Sequence, residues 1–367
     1  MSVYAMAKDI SPAEAIKAAL TKLISLNLAD AVLVAAKTPY SALPMPTLFA
    51  QAEAMDNVDP LAPAAPFNAA RQASIITRHS IGKRLALVLR PCEIRAFVEL
   101  VKLNQCTLEN VVLIGIECLG RMENEVFLSH ASAHADVTAE FYKSTSLQND
   151  ITRTCKMCER FEPVGADIVM SILGAPENTV LFVSGTETGE ALIKELGLPI
   201  AEKPLEMETP VQQLLEKRAA FKKVVFEETI EKINSIEKFQ KMIGTCLNCY
   251  NCRVACPVCY CKECVFLTDV FSSRPETLLR RAQKRGAVKL PTDTTMFHLT
   301  RLSHMAHACV GCGHCSSVCP SKIPIADIFS TIADQVQARY GYVPGRDVHE
   351  PIPYLIFDEK QKSGESK

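Results

Sequence analysis

The sequence predicts an α/β N-terminal domain followed by a mainly α-helical two-cluster ferredoxin domain. Three observations carry that prediction. Short apolar, β-branched runs alternate with helix-like stretches over the N-terminal half, the pattern of a sheet covered on both faces. The 16 cysteines are uneven: none precedes Cys92, one group lies between Cys92 and Cys158, and the rest lie between Cys246 and Cys319. Within the later group the spacing C-x-x-C-x-x-C-x-x-x-C-P occurs twice. With 367 residues, two or three domains are expected at roughly 150 residues each. We place them at 1–205 (α/β), 206–242 (helical linker), 243–345 (double cluster) and 346–367 (extended tail).

The elements follow in chain order. Ser11 is a good N-cap, with Pro12 at the first helical position and Glu14 three residues on, opening a helix to about Asn27. Ala31 to Ala36 reads as a buried strand, as do Leu85 to Leu89, Val111 to Ile116 and Val180 to Val183. Ile94 to Leu103 and Glu187 to Leu196 read as the helices between them. Pro39 to Pro66 holds six prolines and is expected to be a long irregular loop or lid, either functional or a variable surface excursion. From Val211 to Met242 apolar residues recur at helical spacing among Lys and Glu, predicting one long or two shorter helices whose apolar stripe serves packing. Pro275 to Arg285, Thr294 to His307 and Ile325 to Ala338 are further helices. The tail from Gly341 is rich in Pro and charge, and its last ten or so residues are expected to be disordered.

Composition excludes several functions. The chain is 48% hydrophobic and 22% charged, ordinary for a soluble protein, so wholesale disorder is ruled out. Lys plus Arg is 40 against 41 for Asp plus Glu, a net charge of −1, which argues against phosphate neutralisation and hence against a nucleic-acid partner. No secretory leader is visible at Met1 to Ile10, and no apolar run approaches the roughly 18 residues of a membrane span. A disulfide scaffold would be a small secreted chain, so this one reads as cytoplasmic and its cysteines as metal ligands.

The two repeated runs are Cys246, Cys249, Cys252, Cys256-Pro257 and Cys309, Cys312, Cys315, Cys319-Pro320. In two-cluster ferredoxins the fourth Cys of each run ligates the other cluster. Cys246, Cys249, Cys252 and Cys319 are therefore assigned to one 4Fe–4S cluster, and Cys309, Cys312, Cys315 and Cys256 to the other. A tight loop must point three thiolates at one cubane, and Gly311 and Gly313 permit the positive φ such a loop needs. Zinc ribbons also use C-x-x-C pairs, but they do not repeat three evenly spaced Cys followed by Cys-Pro. A second set comprises Cys92 and Cys118, each after a strand, and the pair Cys155 and Cys158. Strand ends are where open sheets bind ligands, so these four either complete a third site or are buried structural thiols. Cys259, Cys261 and Cys264 have no obvious fourth ligand and are expected to pack beside a cluster or hydrogen-bond to it, while Cys106 is expected in the core. His304, His307 and His314 lie beside the second run, either tuning a cluster or, the favoured reading, as partly exposed surface residues.

Arg90-Pro91-Cys92-Glu93-Ile94-Arg95, Ile114 to Gly120 around Cys118, and Cys155-Lys156-Met157-Cys158 together resemble the coenzyme F-420 hydrogenase/dehydrogenase beta-subunit family. The look-alikes are formate dehydrogenase beta subunits with a C-terminal double 4Fe–4S domain, and Cys246 to Cys264 and Phe297 to Met305 resemble them too. The resemblance spans roughly Leu85 to Leu355. It implies a third 4Fe–4S cluster on Cys92, Cys118, Cys155 and Cys158, and an FAD in the α/β domain. Family members that reduce the deazaflavin carry Gly-Gly near the first helix, whereas Ala13 to Leu20 has no glycine. Gly185, Thr186, Thr188 and Gly189, after the strand Val180 to Val183, are the remaining candidates to flank a flavin.

The expected function is an iron–sulfur, FAD-containing electron-transfer subunit of a dehydrogenase complex such as formate dehydrogenase. It would relay electrons between a two-electron carrier and a partner, with substrate oxidation on a catalytic dehydrogenase or hydrogenase subunit. The alternative is a flavin-free adaptor linking a dehydrogenase to a heterodisulfide-reductase-like complex, and a non-redox structural role is the third class.

Overall fold

The computed structural model describes residues 4–80, 82–202 and 207–353. Its strands are β1 (Tyr4–Lys8), β2 (Ala31–Thr38), β3 (Ser41–Phe49), β4 (Leu85–Leu89), β5 (Val111–Ile116), β6 (Ile168–Ser171), β7 (Thr179–Ser184) and β8 (Ile200–Ala201). They form one eight-stranded sheet in the order β3-β2-β4-β5-β6-β7-β1-β8. β2, β4, β5 and β6 are parallel, and the outer strands are joined antiparallel. The α/β N-terminal half and helical C-terminal half predicted from the sequence are both present.

The helix Pro12–Ser25 starts as its cap residues dictate: the Ser11 hydroxyl accepts from the Glu14 amide and donates to the Glu14 carboxylate. Its Ile16, Leu20 and Leu23 join Leu192 and Ile193 of the helix Glu187–Glu195 on one face of the sheet, over Val32, Val34, Val88 and Ile114. Leu33, Leu87, Leu89 and Leu113 point to the other face and meet Ile94 and Phe97 of the helix Pro91–Lys102. That second core continues into Phe239, Val258, Leu302, Val310, Ile323 and Ile328, so the sheet and the cysteine-rich half share one apolar interior. Each fully buried Leu, Ile or Phe there contributes about 1.5–3 kcal/mol.

The Pro39–Pro66 stretch departs from the irregular loop expected. Ser41–Phe49 pairs with β2 as an edge strand, where Pro44 and Pro46 need not donate to a further neighbour. Residues 59–65 are buried, and the Arg90 guanidinium donates to the carbonyls of Ala62 and Ala64 at 2.6 Å each. The 211–242 pattern becomes two helices, Glu208–Ile233 and Ile236–Met242, with Ser235 capping the second. Its stripe is only partly packing: Val225 and Phe239 are buried, but Val224 is 50% exposed. The tail is not free where it begins. Glu99, fully buried, accepts from Lys102 Nζ (3.0 Å), Tyr342 Oη (2.6 Å) and Gly345 N (2.8 Å), pinning the chain onto the Pro91–Lys102 helix. The last residues, expected to be disordered, lie outside the described residues.

Candidate metal centres

The two repeated runs fold as copies of one loop. Gly311 and Gly313 have φ of 70° and 78°. The equivalent positions in the first run, Asn248 and Tyr250, adopt φ of 49° and 61°. Asn tolerates the left-handed region, whereas Tyr250 accepts a cost on the order of 1–2 kcal/mol to keep the loop's shape. Tyr250 is held there by edge-on packing against Phe297 at 4.9 Å.

The loops sort their thiols crosswise. The Cys252 sulfur lies in the electrostatic reach of Cys246, Cys249 and Cys319, and Cys246 in that of Cys249 and Cys319. Cys315 is in reach of Cys256, Cys309 and Cys312. The fourth cysteine of each run thus sits with the first three of the other. Burial pushes the thiols of Cys309 and Cys312 up to about 11 and about 12, so they favour the neutral form unless a cation takes them.

A third set assembles at the ends of β4 and β5. These parallel strands pair Leu89 with Gly115, and Cys92 and Cys118 each lie three residues beyond that pair. Cys155 and Cys158 come from the short helix Arg153–Lys156 and the turn after it, where Thr152 caps the Cys155 amide. Gly120, with φ of 117°, permits the approach: a Cβ there would stand 3.0 Å from Cys155 Cβ. Cys118 is in reach of Cys155 and Cys158, and Cys92 of Cys118 and Cys158. Burial raises the Cys118 thiol to about 11. Cys92 is also in reach of Cys312, so this set adjoins the one containing Cys256. At that junction a Cβ on Gly313 would stand 2.7 Å from Thr154 Oγ1.

The surroundings are cationic and rich in unmatched donors. Arg301, 4% exposed, donates to Cys252 Sγ and to the Cys252 carbonyl at 3.1 Å each. Arg95 donates to the carbonyls of Pro344 and Val310, and Arg218 to those of Cys158 and Leu119. Among the described residues the buried Arg121 Nε, Arg253 Nε and Arg301 Nε have no hydrogen-bond partner. A buried donor without an acceptor costs about 1–3 kcal/mol, and a sulfide-bearing anionic group between the thiol sets would supply acceptors. The residues therefore fit iron–sulfur clusters. Among the described residues no three His, Cys, Asp or Glu side chains converge closely enough to hold a single metal ion.

Other candidate residues fare differently. Cys106 is buried in the core, with its thiol raised to about 12 by burial. Cys259 packs beside the cluster loops, but Cys261 is exposed and so departs from the packing role expected of it. His304 is exposed, whereas His314 is 2% exposed and not the surface residue favoured. The sequence reading missed His298, whose Nε2 lies 3.3 Å from Cys246 Sγ, and gave no role to Arg301. Their i, i+3 spacing on the helix Thr294–Met305, facing a cysteine run, was the available signal.

The flavin candidates do not form a phosphate cradle. A Cβ on Gly185 or Gly189 would strike the carbonyl oxygens of Ala166 (2.1 Å) and Asp167 (1.8 Å), so close packing accounts for both glycines. Thr186 is the N-cap of the helix Glu187–Glu195 and donates to the Asp167 carboxylate at 2.6 Å, while Thr188 is exposed. A carboxylate already faces that helix start, which disfavours a pyrophosphate. The adjoining cavity, about 500 Å³, is lined by Glu117, Glu162 and Glu208 as well as Ser171 and Ser184.

Residues 242–323 match the 4Fe-4S dicluster domain family. The chain is 27% identical over 315 residues to the F420-dependent formate dehydrogenase subunit beta of Methanocaldococcus jannaschii, covering 77% of this chain and 79% of that protein. It is likewise 27% identical over 315 residues to the F420-dependent formate dehydrogenase 1 subunit beta of Methanococcus maripaludis, covering 76% and 77%. A shorter match, 29% over 143 residues, is to the sulfhydrogenase 2 subunit beta of Pyrococcus furiosus, covering 32% and 41%. Among solved structures, a chain of the F420-reducing [NiFe] hydrogenase complex from Methanosarcina barkeri aligns with a TM-score of 0.48 at 15% identity, over 64% of this chain and 94% of that one. The resemblance to beta subunits of this kind read from the motifs is borne out, and the C-terminal half carries a 4Fe-4S dicluster domain. Among the described residues no helix is long and apolar enough to cross a membrane.

Proposed function

We propose that the chain is the electron-relay subunit of a multi-subunit oxidoreductase, with three 4Fe–4S clusters. Cys246, Cys249, Cys252 and Cys319 hold the first, Cys256, Cys309, Cys312 and Cys315 the second, and Cys92, Cys118, Cys155 and Cys158 the third. The observation that supports this is that Cys319 lies near Cys246 and Cys252 and Cys256 near Cys315, while Cys118 lies near Cys155 and Cys158, and Cys92 near Cys118 and Cys312. When bound, the clusters supply one-electron transfer at fixed positions. The chain's own residues hold that path and keep it partly dry. The second quartet lies against the shared core, as do Cys92, Cys246 and Cys319, and Arg301 and Arg218 act on the thiols of Cys252 and Cys158. Cys249 and Leu247 are exposed, so the first quartet is where the path opens to solvent or a partner.

The partner is a catalytic dehydrogenase or hydrogenase subunit, a reading supported by the names of similar beta subunits, two of formate dehydrogenases and one of a sulfhydrogenase. A second reading, a flavin-free adaptor, is favoured by the acidic lining around Gly185 and Glu117. Iron, acid-labile sulfide and flavin per full-length chain after anaerobic purification test both. About twelve irons and twelve sulfides are expected. One flavin per chain would favour the flavin-containing relay and none the adaptor, while stoichiometric zinc without sulfide would sink the relay itself.

A further inference from the structure

We infer that Arg301 sets the reduction potentials of the two C-terminal clusters together, as one guanidinium shared at their junction. The inference rests on the relay reading above and adds to it a residue with a defined electrostatic task. Arg301 lies on the helix Thr294–Met305 and is 4% exposed. It donates to the sulfur and the carbonyl of Cys252, on the side of the first quartet. Cys315 of the second quartet packs in the same apolar cluster as Cys252 and Phe297, the ring over which Arg301 lies, and the Arg301 charge acts on Cys256 and Cys315 as well. Phe297 and Phe329 flank it, with ring centroids 5.5 and 4.8 Å from the guanidinium carbon, so it is held in place.

No carboxylate pairs with Arg301 among the described residues, and the group its guanidinium meets besides the Cys252 carbonyl is cysteine sulfur. A buried guanidinium without a carboxylate is costly unless something else anionic faces it. Its Nε, buried and without a partner among the described residues, is a further donor for a group between the quartets. Guanidinium stays protonated throughout the working range, so the charge is permanent.

The consequence follows from charge. Reduction adds one electron to a cluster and makes it more negative, and no proton need move at Arg301. A fixed cation in a poorly screened interior stabilises that reduced form and raises the potential. The third quartet is served by different cations: Arg90 acts on Cys118, and Arg218 and Arg95 on Cys158. Neutralising Arg301 should therefore lower two potentials and leave the third where it was.

The test uses the full-length chain, reconstituted anaerobically, as wild type, Arg301→Gln and Arg301→Lys. Iron and sulfide are counted first, and each protein is then titrated with dithionite through redox mediators while low-temperature EPR follows the clusters. At the potential that half-reduces the C-terminal clusters in wild type, Arg301→Gln should show at least a tenfold lower ratio of reduced to oxidised cluster. For a one-electron couple that is a shift of about 59 mV or more. Arg301→Lys, which keeps the charge, should stay within about threefold. The signal lost in Cys92→Ser should keep its midpoint in both variants.

Full iron in Arg301→Gln with a shift below about threefold overturns the inference, as does an equal shift of all three clusters. If the Gln variant loses iron, Arg301→Lys decides: a tenfold loss with the charge retained and iron intact also overturns it. Wild-type protein that carries zinc and no sulfide would instead overturn the relay reading, so the two failures are distinguishable.

Discussion

Cys92→Ser tests the least conventional of the three quartets. Cys92 sits in the first turn of the helix Pro91–Lys102, directly after β4, and is half-buried. Serine is slightly smaller and fits the same turn. That turn is fixed independently by the Glu93 carboxylate, which accepts from Arg90 N at 2.9 Å and Ala69 N at 3.1 Å, so the fold should survive. The expected loss is one cluster, about four of about twelve irons with four sulfides. Because Cys92 also lies near Cys312, the measurement must separate local from spreading loss. Colorimetric iron and sulfide on the anaerobically reconstituted full chain, with EPR after dithionite, do that. The signals of the two C-terminal clusters should persist, and electron flow from a reduced deazaflavin or other two-electron donor should fall. Cys106→Ser, in a core thiol outside every quartet, is the control and should leave iron unchanged. Twelve irons retained in Cys92→Ser, or a loss that takes a second cluster as well, would refute the assignment.

Three further outcomes are expected. Glu99→Ala strips the carboxylate from a Lys102 side chain that is only 4% exposed and should cost about 3–5 kcal/mol. Glu99→Leu combined with Lys102→Met should recover most of it, and the shift in thermal unfolding of the two variants, together with tryptic release of the segment after Tyr342, measures both. Gly313→Ala, which forces a Cβ into Thr154 at a φ of 78°, should reduce occupancy of the second and third clusters, with partial rescue by Thr154→Gly in the iron count. Among the four thiols outside the quartets, exposed Cys261 should react with iodoacetamide first under anaerobic conditions. Cys106 and Cys259, whose thiols burial raises to about 12, hold only about one part in ten thousand as thiolate near pH 8 and should stay unlabelled in peptide mass spectra. Rapid alkylation of Cys106 would contradict that burial.

Much of the architecture was legible because several elements carry strong local signals. β4 and β5 span Leu85–Leu89 and Val111–Ile116 as predicted, since five- and six-residue apolar runs between polar boundaries have few other uses. The helix at Ser11 was legible from its capping residues. β1 and β6 were not, because Tyr4–Lys8 and Ile168–Ser171 are short and gain strand character only from their neighbours β7 and β5. β3 was hidden by Pro44 and Pro46, which argue against a strand unless it lies at a sheet edge. At the candidate centres, the repeated spacing led to the crosswise assignment of the ferredoxin thiols, because loop geometry leaves little choice. The left-handed Tyr250 could not be anticipated, since nothing local favours it: the Phe297 ring that holds it is 47 residues away.

The buried arginines were illegible for a related reason, and they bear most on function. Arg95, Arg218 and Arg301 lie in sequence stretches that would ordinarily place a charge on a solvated helix face. Each is buried because its charge is used at a distance: Arg95 reaches Val310 in the second cysteine run, Arg218 the carbonyl of Cys158, and Arg301 the sulfur of Cys252. The Arg95 and Arg218 contacts join opposite halves of the chain, 215 residues apart for Arg95 and Val310, while Arg301 and Cys252 are 49 residues apart within the C-terminal half. Such contacts need the shared core to bring the halves into register, and they in turn offset the charge of thiolates that the core would otherwise reject. The sheet therefore does more than carry one quartet. By packing the Pro91–Lys102 helix against the cysteine loops it fixes both the spacing of the quartets and the cations between them, so a change in that packing should appear as a change in potential before it appears as a loss of iron.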